Sequence, residues 1–344
     1  TKSTLISHFN GNLSSPIKEE EAILLHSCTA SYDLLTHLIT DPNDIILTPS
    51  PFYARVRSDC GERSQCRIEA VPLDPFNPTL IVSDYQREID RWTAEGIPVR
   101  GIIVMNPHNP LGNIVSKEEL IELCEWAMSN NLFIIVDEIL AGTIYSQEKF
   151  TNFPSILDLL NQLSKPDLIV WMSSLSKDIG IPGVRSSLCV IPSSPLRRAL
   201  IRLESLTAVP APDQLIVKHL LNDQNWISCL LSLSRSRLHS HSKFVVDSLN
   251  SIGISAVSPQ AGMTLMADFS KFLSDQSLSA EDELHLRMVN GGVILTKGGP
   301  THAASPGWFR IAFGVPKEEL EIGIERIIKI LVPGETLNCK LNNE

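Results

Sequence analysis

The sequence contains no Cys-x-x-Cys pair, no Gly-x-Gly-x-x-Gly, no Gly-x-x-x-x-Gly-Lys-Ser/Thr and no Gly-x-Ser-x-Gly. The first absence speaks against a structural zinc site, the next two against a glycine-rich nucleotide cradle, and the last against an α/β-hydrolase nucleophile. The seven cysteines (Cys28, Cys60, Cys66, Cys124, Cys189, Cys229, Cys339) are odd in number and scattered. That suits reduced thiols and a cytoplasmic location better than a disulfide framework. No apolar run is long enough to cross a bilayer, and the opening TKSTLISHFN lacks the basic-then-apolar pattern of a signal peptide. The 29 basic residues face 39 acidic ones and gather into no block, so neither nucleic acid nor an anionic membrane is an expected partner. There is no internal repeat and no homopolymeric tract. What remains is an acidic chain, net charge −10, whose expected partner is a small molecule.

With 344 residues, 43% of them hydrophobic, the chain can bury a large core and, by size, form two domains. Between about residues 20 and 200, β-rich runs (AILLHS, DIILTP, GIIVMN, LFIIVDEI, LIVWMS, SSLCVIP) alternate with amphipathic stretches. This is the pattern of an α/β fold, a mostly parallel sheet covered by helices. Ser116 followed three residues later by Glu119 predicts a capping box. Residues 210–245 read as long helix. Beyond it GISAVSP, MTLMADFS, GGVILTK and FRIAFG are expected strands, with helices near 281–291 and 317–331. The expected division is a large domain over 1–230, a smaller α+β domain over 231–335, and a tail over 336–344. The polar residues of interest sit where strands end, the edge at which open α/β sheets bind ligands.

SSLSKDIGIPGVR, residues 173–185, sets Lys177 among hydroxyls with Arg185 eight residues on. A lysine with a lowered pKa forms a Schiff base with an aldehyde. Ser174, Ser176 and Arg185 are groups that hold a phosphate monoester, and Gly180 and Gly183 permit tight turns. Lysine beside such a clamp points to an aldehyde that carries a phosphate. LFIIVDEI ends in Asp137 and Glu138. A carboxylate there can bind metal, bridge to an arginine, or pair with a protonated pyridine nitrogen; with no His or Cys at ligand spacing nearby, metal is discounted. MNPHNPLG carries turn chemistry, and its Asn109 would also offer an amide beside Asp137. His239 and His241 stand two apart on an expected helix and so face different directions, which speaks for a solvated face rather than a metal pair. The five tryptophans read as core or interface, with Trp308 of note for lying two residues before Arg310.

NPHNPLG, VDEI, SLSKDIGIPGVR and PGWFRIAFG, in this order, resemble the fold-type-I class I/II aminotransferase family, which depends on pyridoxal 5′-phosphate (PLP). Within it the chain is most similar to 1-aminocyclopropane-1-carboxylate (ACC) synthases and their ACC-synthase-like relatives, over about residues 20–330. The resemblance implies an aspartate aminotransferase-like fold with PLP held on Lys177 as an aldimine. It implies Asp137 at the pyridine nitrogen, Asn109 at the ring hydroxyl and Tyr53 stacked on the ring. Thr29, Ser174 and Arg185 are then expected at the phosphate, and Arg310 at the substrate carboxylate. A homodimer acting on an amino acid is expected on the same ground; no metal is expected, because no His or Cys stands at ligand spacing.

Four departures accompany the resemblance. Leu140 stands where the family usually has a tyrosine that donates to the ring oxygen, and Tyr145 lies five residues on. SCTAS, residues 27–31, lacks the family's glycines. LTKGGPTH, residues 295–302, replaces a Pro-Gly-Ser type turn. Relatives carry roughly 80–100 residues before the point matching Thr1, including an arm that reaches the neighbouring subunit's site, so an N-terminal arm is expected to be missing from this chain. Three readings stay open: aminotransferase-type chemistry in a biosynthetic pathway, slightly ahead; an ACC-synthase-like lyase acting on S-adenosylmethionine or a related substrate; and a degenerate, non-catalytic member of the family.

Overall fold

The computed structural model describes residues 1–334; the tail expected at 336–344 lies outside the described residues. A seven-stranded sheet comprises β1 (Ala22–Leu25), β2 (Ile45–Ser50), β3 (Arg67–Pro72), β4 (Val99–Met105), β5 (Phe133–Asp137), β6 (Ile169–Ser174) and β7 (Ser187–Val190). Their order is β1-β7-β6-β5-β4-β2-β3. β7 alone runs against its neighbours, and the remaining pairs are parallel.

The apolar runs explain this arrangement. Strands covered by helices on both faces need side chains that are apolar in both directions, and β5, FIIVD, supplies them. Ile134 and Val136 join Ile102, Val104 and Leu188 on one face, while Ile135 joins Ile46, Ile103 and Val170 on the other. Each such side chain contributes about 1.5–3 kcal/mol when buried. A register slip of one residue would exchange the two faces and their contents, so the pairing is strongly specified.

The six expected strands of this sheet form: β1, β5 and β7 are trimmed, β2 and β6 are shifted by one residue, and β4 starts two residues earlier. β3 is the addition. It pairs only with β2 and carries Arg67 and Glu69 at half-buried positions, as an edge strand can, and this blurs the apolar signal. The capping box is present: Ser116 Oγ accepts from Glu119 N–H at 3.2 Å, and Glu119 Oε2 accepts from Ser116 N–H at 3.0 Å.

A second sheet, antiparallel throughout, holds β8 (Ser255–Ala256), β9 (Thr264–Asp268), β10 (Thr296–Lys297) and β11 (Trp308–Ala312) in the order β10-β11-β9-β8. The strand expected over GGVILTK contracts to two residues, because Gly291 follows the helix Leu278–Asn290 and Gly292, at φ +80°, turns the chain away. The long helix expected over 210–245 is two helices, Ala211–Asn222 and Gln224–Ser251. Asp223 separates them and caps the second, accepting from Trp226 N–H at 2.9 Å. We propose that the two sheets mark two domains; residue 230 falls inside the continuous helix Gln224–Ser251 that runs between them.

Every parallel strand of the large sheet ends on the same edge. There the chain turns into Ser27 after β1, Tyr53 after β2, Asn109 after β4, and Ser176 and Lys177 after β6, while Asp137 closes β5 itself.

Candidate active site

A cavity of about 380 Å³ opens at that edge, between the large sheet and β9 and β11 of the small one. All eight residues singled out in the sequence, Thr29, Tyr53, Asn109, Asp137, Ser174, Lys177, Arg185 and Arg310, line it. They come from six stretches of chain spread over 282 positions, from 29 to 310, so only the fold brings them together.

Asp137 forms the floor. It is 2% exposed, and burial pushes its carboxyl up to about 6 despite two donors that favour the ionised form. Ile139 N–H donates to Oδ1 at 3.0 Å, and the Tyr32 phenol donates to Oδ2 at 2.9 Å. Tyr32 is the neighbour of Asp137 that the sequence motifs did not single out. It lies mid-helix on Cys28–Ile39, and nothing local distinguishes it from a core aromatic.

Lys177 lies on the short helix Leu175–Asp178, opened by Ser174, whose Oγ accepts from Ser176 N–H at 3.2 Å. Lys177 is exposed to the cavity and makes no hydrogen bond or ion pair with the described residues. Its neighbour Asp178 points the other way and is buried. Opposite this turn, the helix Cys28–Ile39 starts at Ser27, whose Oγ accepts from Ala30 N–H at 3.0 Å. Two capped turns therefore present hydroxyls and backbone N–H groups to one corner.

Arg185 adds the charge at that corner: its Nη1 donates to Pro182 O at 2.6 Å, and its backbone N–H donates to Asp213 at 3.1 Å. Thr29 faces the same corner, but its hydroxyl donates to Asp59 Oδ2 at 3.2 Å. Cys28, in place of a glycine, sends its side chain into the apolar layer beneath the sheet.

Asn109 is half-buried, and its Oδ1 has no hydrogen-bond partner among the described residues. Burial pushes the Tyr53 phenol up to about 12, with the Asp59 carboxylate adding to the shift. Arg310, half-buried on β11, donates from Nη2 to Thr296 Oγ1 of β10 at 3.2 Å, and burial lowers its pKa.

Leu140 also lines the cavity. Tyr145 does not replace a phenol there: its hydroxyl donates to Gly262 O at 2.8 Å and its ring stacks on His239. His241 Nδ1 lies 3.1 Å from Phe313 O, so the two histidines face different partners. Trp308 packs into the core against Phe76. The 295–302 loop borders the site from the small sheet, where Thr301 O accepts from Phe52 N–H at 2.8 Å, next to Tyr53.

Fold and cavity define an α/β protein with a lysine-bearing site at its strand ends. The chain belongs to the aminotransferase class I and II family, a family of PLP-dependent enzymes, whose model matches residues 2–327. It is 30% identical over 326 residues to 1-aminocyclopropane-1-carboxylate synthase-like protein 1 of Takifugu rubripes, covering 92% of this chain and 52% of that protein. It is 28% identical over 312 residues to 1-aminocyclopropane-1-carboxylate synthase 6 of Oryza sativa subsp. japonica, covering 89% of this chain and 57% of that protein. The chain thus spans little more than half the length of these relatives. The solved structure of aspartate aminotransferase from Thermus thermophilus with maleate superposes with a TM-score of 0.82 at 20% identity, over 96% of this chain and 81% of that one. Both sheets are thereby those of the aspartate aminotransferase fold.

The residues present suit PLP. A buried carboxylate gains from a protonated pyridine nitrogen, Asn109 has an amide oxygen without a partner among the described residues, and the hydroxyl and guanidinium corner suits a phosphate. Among the described residues, no group of three or more His, Cys, Asp or Glu is placed to hold a metal ion. None of the described helices is long and apolar enough to cross a membrane.

Proposed function

We propose that this chain holds PLP at Lys177 and moves the Cα proton of an amino acid, with aminotransferase-type chemistry as the outcome. The observation that carries the reading is a lysine without a partner among the described residues, in the same cavity as a buried carboxylate, a hydroxyl and arginine corner and a second arginine. PLP, when bound, supplies the electron sink that a carbanion at Cα needs.

The chain's own residues do the rest. Lys177 offers its amine first as the covalent anchor and then, displaced by the substrate amine, as the base that takes the Cα proton. Asp137 keeps a negative charge at the pyridine nitrogen, Asn109 hydrogen-bonds the ring hydroxyl, and Tyr53 covers one ring face. Thr29, Ser174 and Arg185 hold the phosphate, for which Thr29 turns its hydroxyl from Asp59. Arg310, on the small-sheet side, grips the substrate carboxylate in a two-pronged contact that fixes Cα relative to Lys177.

A second reading, an ACC-synthase-like lyase, is favoured by the names of the relatives at about 30% identity. The two would part after Cα proton removal: in the first Lys177 would hand the proton back, and in the second the substrate would instead lose a γ-leaving group. We further propose a homodimer, on family grounds. A cytoplasmic setting is supported by six unpaired cysteines among the described residues.

The test is borohydride reduction of the protein with PLP, then peptide mapping and assays with a panel of amino acids, keto acids and S-adenosylmethionine. A reduced adduct on Lys177, absent in Lys177→Ala, together with keto-acid formation supports the first reading; methylthioadenosine release supports the second. A folded protein without adduct would leave a family member that no longer carries the cofactor.

A further inference from the structure

We infer that Tyr32 is a positioning residue, whose phenol fixes the orientation of the Asp137 carboxylate toward the pyridine ring. The inference rests on the proposed PLP chemistry and concerns a residue with no role in it so far.

The geometry begins with burial. Tyr32 is 1% exposed, and a buried phenol needs a hydrogen-bond partner. The partner is Asp137 Oδ2 at 2.9 Å. The other oxygen, Oδ1, takes Ile139 N–H at 3.0 Å from the carboxylate's own turn. The carboxylate is therefore held at both oxygens, once by its own backbone and once by a different element. Only the second contact ties it to the rest of the site.

That element is the helix Cys28–Ile39. Its first turn, with Ser27 and Thr29, faces the phosphate corner, and Tyr32 stands three residues beyond Thr29, a rise of about 4.5 Å. One rigid helix thus touches both ends of the cavity, setting the distance between the phosphate corner and the ring-nitrogen end. The titratable groups that face Asp137 are Cys28 and Tyr32 of this helix, Cys189 of β7 and Tyr53. All are neutral when protonated, and Tyr32 is the one that donates to it. Burial works against the Asp137 charge, so removing the phenol removes a main support of that charge while leaving the cavity's shape.

Tyr32→Phe keeps the ring and deletes the donor. The expected result is a folded protein with a melting temperature near that of wild type and PLP affinity roughly 10- to 100-fold weaker near pH 8. The acidic limb of the affinity-versus-pH curve moves upward by about one unit, because Asp137 then takes up a proton more readily. A purely space-filling role would leave the PLP affinity and that limb both in place, because phenylalanine keeps the ring. In an Asp137→Asn background the same change should cost little, since the two residues act as one unit.

Equal PLP affinity and the same acidic limb in Tyr32→Phe and wild type would overturn the inference. So would an equal loss in the Asp137→Asn background. Should Tyr32→Phe fail to fold, the double variant with Asp137→Asn decides: a folded double variant supports the inference, because the unsupported carboxylate was the fault, and an unfolded one overturns it. If wild-type protein shows no borohydride-trapped adduct on Lys177, the functional reading itself has failed, an outcome distinct from a change confined to Tyr32→Phe.

Discussion

Asp137 and Glu138 are consecutive in the chain, yet their carboxylates lie on opposite faces of the large sheet. Asp137 takes the Tyr32 phenol at 2.9 Å, and Glu138 takes Trp171 Nε1–H at 2.8 Å. Strand alternation enforces the split, placing one carboxylate in the cavity and the other in the core beneath it. Glu138 is locked there by two further donors, the Ser155 hydroxyl and Ile156 N–H, both at 2.7 Å.

This division gives a pH prediction. Burial pushes Glu138 up to about 7, Asp178 up to about 7 and Asp137 up to about 6. A carboxyl with a raised folded-state pKa binds its proton more tightly in the folded than in the unfolded chain. Its contribution to stability is therefore full below about pH 4 and is lost as pH rises through the folded value. The urea midpoint of the cofactor-free protein should fall between about pH 5 and pH 7.5. Glu138→Gln should flatten that slope while lowering the midpoint itself, because one acceptor is lost. An unchanged slope would contradict the assignment.

Arg310 is tested by separating two affinities. Arg310→Lys keeps a positive charge but loses the planar fork. Amino-acid binding to the PLP-loaded protein, monitored by its spectral change, should weaken about 10-fold or more. PLP binding, which depends on the opposite corner of the cavity, should change less than about 3-fold. Equal losses in both would place Arg310 at the cofactor instead.

The large sheet was legible because its strands are short apolar runs closed by turn residues, a signal that burial on both faces makes strong. β3 escaped because an edge strand tolerates Arg67 and Glu69. The eight residues expected at the site could be singled out from sequence motifs, and the fold brings them to one cavity. Tyr32 was not, since its significance is a contact with Asp137 across 105 positions. Asp59 was missed for the same reason: it reaches Thr29 only because the helices Cys28–Ile39 and Val56–Ser64 pack together. The break at Asp223 was readable in principle, because Asp is a preferred cap, but the apolar pattern on either side ran through it.

Leu140 lines the cavity with an apolar side chain, while its backbone carbonyl accepts from the Thr143 hydroxyl at 2.6 Å. Its δ1 methyl would lie 3.5 Å from a Cβ built on Gly262, just ahead of β9. Leu140→Tyr would bring a phenol to the wall that Leu140 lines, on the same turn as Asp137. The pH midpoint of the visible absorbance of the PLP-loaded protein should then fall by about one unit, as a donor near the ring oxygen favours the deprotonated form. Absorbance titration of the two proteins checks this, and an unmoved midpoint would show that the phenol does not reach the ring.

Gly142 couples the strand-end turn to the turn that carries Lys177. Its carbonyl accepts from Arg235 Nε at 2.8 Å, and its N–H supports the buried Asp178 carboxylate, the residue after Lys177. A methyl group at Gly142 would collide with that carboxylate. Asp178 is 7% exposed and has little room to withdraw. Gly142→Ala should therefore cost about 1–3 kcal/mol in urea unfolding. It should also weaken PLP uptake, because the displaced carboxylate drags the Lys177 turn with it. Gly183→Ala is the control on the same cavity rim: nothing lies within 4 Å of a Cβ there, and stability should stay within about 0.5 kcal/mol. If both substitutions behave alike, the close approach at Gly142 does not hold the lysine turn.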